Sequence, residues 1–132
     1  MKMSRKEFHG FQTAWQEYEL MLTRILPKFI KRGLYDLSDD LDHALFCRSE
    51  IEGDFARYPN DPKLLPYRMK VVALDGDLLL MRKEVLARLS PQYLRSYRQR
   101  NAIPRTHWWW YLDEAAETKG ARKRATGAKQ AR

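Results

Sequence analysis

From Phe8 onward the apolar positions Phe8, Phe11, Trp15, Tyr18, Leu22, Ile25 and Phe29 recur at alternating intervals of three and four. That spacing lines one face of a helix. Ser4 with Glu7 three residues later offers a capping box at its start. Pro27 should kink or divide the helix near residue 26, because its ring clashes with the preceding turn. Gly33 supplies a stop. The seam is mostly aromatic where a long coiled coil would carry Leu and Ile, so it reads as a helix of a bundle.

A second helix follows in "YDLSDDLDHALFCRSEIEGDFARYPND". Leu37, Leu41, Ala44, Ile51 and Phe55 fall within about 40° of one line on a helical wheel. Ser38 is the expected N-cap, with Asp39 and Asp40 in the first turn where the helix dipole favours them. "YPNDP" at 58–62 ends it.

Residues 63–89 admit two structures. Asp75-Gly76 is a hairpin signal, yet its flanks in "VVALDGDLLL" are solidly apolar and do not alternate. A helix is favoured over 70–81. It carries one stripe of Leu65, Met69, Val72, Leu79 and Leu86, with Leu74, Leu78, Met81, Val85 and Leu89 beside it. So wide an apolar surface predicts a central helix contacted on more than one side.

Ser90-Pro91 pairs an N-cap with proline at the first helical position, which starts another helix bearing Tyr93 and Tyr97. "AIPRT" breaks it, and a last helix is expected from Thr106. On its wheel Trp108, Tyr111, Leu112 and Ala115 share one side, while Trp110 points away and is the ring a core is least able to cover. From Thr118 the chain reads "TKGARKRATGAKQAR", with six basic groups, no acid and no large apolar residue. Such a segment cannot bury enough surface to offset its ordering entropy, so a disordered tail is expected. The predicted fold is all-α: a compact bundle of four to five helices forming a single helical domain over 1–117, with a disordered basic C-terminal tail over 118–132.

At 132 residues and 44% hydrophobic content, the chain suits one domain with a real core. The first ten residues lack the apolar stretch of a secretory signal, and no apolar run reaches membrane-spanning length. A soluble, cytoplasmic protein is the expectation. The single cysteine, Cys47, excludes an internal disulfide.

Charge changes the picture through its layout. The net is +8, but residues 1–81 hold 12 Lys/Arg against 13 Asp/Glu, and residues 82–132 hold 13 against 4. The segment 36–54 alone has seven acids and one base. An acidic middle followed by a basic last third points to an acidic partner, or to the two regions neutralising one another within the fold.

Candidate chemistry is sparse. Asp39, His43, Glu50 and Asp54 share one side of the second helix, opposite its apolar line. They span about 22 Å of axis, so no single ion reaches more than two of them. They read as a solvated acidic face, and no metal or cofactor is expected. Cys47 one turn from His43 could form a thiolate–imidazole pair, but no third group orients it, and a structural cysteine is favoured. The glycines are scattered and form no phosphate-cradling loop. No feature indicates an enzyme or a small-molecule substrate.

The basic region carries more. Arg82, Lys83, Arg88, Arg95, Arg98, Arg100 and Arg105 are opposed within 82–105 by Glu84 alone. Arginine suits phosphate and carboxylate recognition, and nearby aromatic rings can stack on bases. The expected function is a non-enzymatic interaction module that docks on a protein partner or assembles with itself. Its expected contact residues are Arg95, Arg98, Arg100, Arg105, Tyr97 and Trp110, with Arg122, Lys123 and Arg124 of the tail. The alternative is a small subunit that binds nucleic-acid backbone in a nucleoprotein complex.

Overall fold

The capping box forms. Ser4 Oγ accepts from the Glu7 N–H, and the Glu7 carboxylate accepts from the Ser4 N–H, starting α1 (Arg5–Leu20). The Glu7 carboxyl is held below its ordinary value by that Ser4 N–H and by the Tyr58 hydroxyl. A π-helical turn, Met21–Ile25, connects α1 to α2 (Leu26–Arg32). Pro27 explains the widening. It has no N–H, and its ring would meet the carbonyl of residue 23 in a regular helix; the wider turn relieves that clash without breaking the rod. Gly33 terminates α2 in the left-handed region, φ 67°, with Leu34 N–H bonded back to the Phe29 carbonyl.

The computed structural model of the chain describes residues 1–114. Among the described residues the fold is all-α, with six α-helices and no strand. Contacts divide the described residues into two compact units, Met1–Leu89 and 90–114.

In the first unit α3 (Ser38–Arg57) lies against α1. The chain enters α3 on a buried Leu37 in place of the expected Ser38 cap, and no side chain caps this end. Leu37, Leu41, Ala44, Ile51 and Phe55 are all buried, as their wheel predicts. The aromatic seam of α1 meets two elements. Phe11 packs on Phe55, and Phe11 and Trp15 both contact the Tyr67 ring edge-on at 4.9 and 5.0 Å. Asp61 closes the loop after α3 by accepting from the backbone N–H groups of Met3 and Lys63, which hold its carboxyl below the ordinary range.

The 63–89 region is helical: α4 (Leu65–Leu80) and α5 (Arg82–Arg88), separated at Met81 (φ −95°, ψ 12°). Asp75-Gly76 lies inside α4, because solidly apolar flanks cannot form the two-faced ribbon a hairpin requires. Of its two apolar stripes, Leu74, Leu78, Val85 and Leu89 are buried, whereas Leu65, Met69 and Val72 are exposed. The helix is therefore covered on one side, not on several as its pattern predicts.

In the second unit Ser90 Oγ accepts from the Tyr93 N–H and starts α6 (Pro91–Asn101). The predicted last helix does not begin at Thr106. Residues Trp108–Trp110 form a single 3-10 turn, Tyr111 leaves helical geometry (φ −118°, ψ 27°), and α-helical backbone resumes only at 112–114. The Trp110 carbonyl, which a continuing α-helix would use internally, accepts from the Arg98 guanidinium of α6, twelve residues earlier in the chain.

Candidate interaction surfaces

Sequence reasoning placed the contact surface in the basic last third, and there the structure redistributes the residues. Arg98 is buried, paired with Asp113, bonded to the Trp110 carbonyl and 3.2 Å from Glu114. It lies over the Tyr111 ring, as does Arg105. Arg105 binds Glu114 at 3.0 Å, and Arg95 sits 3.7 Å from Asp113. Asp113 and Glu114 thus gather three of the four arginines between 95 and 105 that were expected to meet a partner. Arg100 is exposed, its Nε donating to the Ser96 carbonyl at 3.4 Å.

Trp110 is the second correction. It is 1% exposed, as is Trp109, while Trp108 is only half-buried. The half-buried Tyr97 stacks on Trp110 with ring centroids 4.1 Å apart. Tyr97 lies on α6, so the Trp110 ring is covered from outside its own segment, where a wheel of that segment carries no information. Arg122, Lys123 and Arg124, and the tail expected to be disordered, lie outside the described residues.

The acidic face of α3 holds no close group of metal-ligating side chains among the described residues. Cys47 lies 3.5 Å from the His43 imidazole. Burial, reinforced by Glu50 and Glu17, pushes the Cys47 thiol up to about 12, the reverse of what a nucleophile needs. Arg48, on the same helix, enters the core. Its Nε and one terminal nitrogen bind both Asp75 oxygens at 3.0 Å, and its other terminal nitrogen binds Glu52 at 3.0 Å. The fully buried Tyr18 hydroxyl donates to Asp75 at 2.7 Å, and burial followed by the Asp75 charge drives its proton affinity upward. This network joins α1, α3 and α4, and its groups bond one another.

Among the described residues, exposed large apolar side chains concentrate on α4. Leu65, Met69, Val72 and Leu80 are 57%, 71%, 69% and 85% exposed. Spaced by four, three and eight residues, they form one stripe along the helix with Gly76 in its gap. Lys70 and Asp77 stand on one edge of it. At the Leu80 end a groove of about 380 Å³ is lined by Leu22, Thr23, Pro27, Asp77, Leu80 and Met81. The sequence signalled this surface as excess apolar width, but periodicity says only that two faces exist, not which one the chain itself can cover.

No family model, curated protein or solved structure matches the chain. No helix among the described residues is long and apolar enough to cross a membrane.

Proposed function

We propose that the protein is a non-enzymatic helical interaction module whose docking face is the exposed stripe of α4. The observation that carries this is the run of large apolar side chains at Leu65, Met69, Val72 and Leu80, on a helix whose opposite side already fills the core. Contiguous exposed apolar surface of this kind marks contact sites, because leaving it in water forgoes burial that a partner supplies. Nucleic-acid contact is less well supported than the bare charge count implies, since Arg95, Arg98 and Arg105 all face Asp113 or Glu114.

The test is the double variant Val72→Glu/Leu80→Glu, whose side chains leave the core untouched. The circular dichroism and melting temperature should match the parent. Association, whether seen as concentration-dependent sedimentation or as co-purification of another protein, should disappear. Association that survives both charges would overturn the assignment of this face.

A further inference from the structure

Building on that interaction face, we propose that its occupant is a second copy of this chain, docked antiparallel along α4 with Gly76 at the close approach. Three observations converge on it.

The first is Gly76. A glycine inside a helix costs about 1 kcal/mol relative to alanine, so it calls for a compensating use. Among the described residues none is evident: its φ is not positive, and a Cβ added there would meet nothing within 4 Å, as also holds for Gly10 and Gly53. It lies on the exposed stripe, where the missing side chain lets a second helix come close.

The second is charge. Lys70 and Asp77 stand two turns apart on the same edge of the stripe. In an antiparallel pair each edge faces its own counterpart. A two-fold axis passing between residues 73 and 74 then sets Lys70 of each copy opposite Asp77 of the other, twice over. In a parallel pair each edge would face the opposite edge of the other copy, and Lys70 and Asp77 would not meet.

The third is fit. At 1.5 Å rise per residue, the same axis places Met69 between Gly76 and Leu80 of the second copy, and Val72 beside the second copy's Gly76. The large side chains of one half of the stripe meet the gap in the other half. The charge register and the packing register therefore coincide.

The paired helices span about 24 Å, which is less surface than a standard stable interface buries. Weak, concentration-dependent association is expected.

Sedimentation equilibrium of the full chain, with Lys70→Asp, Asp77→Lys and the double reversal, tests the arrangement. Either single reversal places like charges opposite each other at both symmetric contacts and should weaken dimerisation roughly tenfold or more. The double reversal should restore it. As a second readout, Ala73→Cys beside the axis should oxidise readily to a disulfide dimer. Leu65→Cys, separated from its counterpart by about 25 Å along the axis, should not. Cys47 is buried and stays out of the reaction. A chain that remains monomeric at millimolar concentration, a double reversal that does not recover, or equal cross-linking at 65 and 73 would each overturn the proposal. Loss of self-association together with stripe-dependent binding of a different protein would sink this inference alone and leave the docking face standing.

Discussion

Removing the Arg48 guanidinium should be among the most damaging single changes in the first unit. Arg48 is 4% exposed and makes two hydrogen bonds to Asp75 and one to Glu52. In Arg48→Met the aliphatic volume is largely kept, but the Asp75 carboxylate is left in the core with the Tyr18 hydroxyl as its remaining partner in this network. Breaking one side of a buried pair costs about 3–5 kcal/mol. Asp75 retains some solvent access, with its side chain 16% exposed, so the lower end, about 3 kcal/mol, is expected. With a urea slope of roughly 1.5 kcal/mol/M, the unfolding midpoint should fall by about 2 M, followed by far-ultraviolet circular dichroism. Arg48→Met/Asp75→Leu removes both charges and should return to within about 1.5 kcal/mol of the parent. A single variant that loses less than about 1 kcal/mol, or a double variant no better than the sum of the two singles, would refute the view that the buried charge sets the cost.

Four further outcomes follow from particular residues. Trp110→Ala should lower stability by about 3–5 kcal/mol, and Arg100→Ala by less than about 0.5 kcal/mol; thermal melts of the two variants side by side check the reassignment of Trp110 to the interior. Asp61 and Glu7 have folded-state affinities below their ordinary carboxylate values, so the unfolded chain takes up protons first on acidification. Their contribution to stability is complete above the ordinary carboxylate range and is lost as pH falls through and below it; Asp61→Asn should flatten urea midpoints measured from pH 6 downward. Cys47, with its thiol pushed up to about 12, should react with a thiol reagent at pH 8 no faster than the protein opens, and promptly in urea. At concentrations low enough to keep the chain monomeric, Gly76→Ala should stabilise it by about 0.5–1 kcal/mol of helix propensity, since the added methyl meets nothing among the described residues, while weakening self-association at high concentration.

Much of the fold was legible because its signals are local. The Ser4–Glu7 box, the Gly33 stop and the Ser90-Pro91 start each involve residues within a turn of one another, and each formed as its chemistry requires. The buried line of α3 followed from periodicity alone. What failed depended on partners distant in sequence. The tryptophan segment has helix-compatible spacing, but Arg98 captures the Trp110 carbonyl from a different helix and ends the turn. The same capture, together with Asp113 and Glu114, draws Arg98 inward and satisfies Arg95 and Arg105 from the acids just beyond the tryptophans, which a count of charge over 82–105 does not reach. Asp75 was read correctly as lying in a helix, but its place in a buried network was not legible because its partners Arg48 and Tyr18 come from two other helices. The α4 stripe was visible as apolar width, but its exposure depends on how many helices this short chain has left to cover it.

A docking face on α4 requires that the stripe become covered when the protein associates. Hydroxyl-radical footprinting across a dilution series measures that directly, with Phe46 and Tyr35, which are exposed and off the stripe, as internal references. Modification of Met69, Val72 and Leu80 should fall as concentration rises while Phe46 and Tyr35 stay constant. Association without protection at Met69 and Leu80, or protection that moves to Phe46, would place the docking face elsewhere.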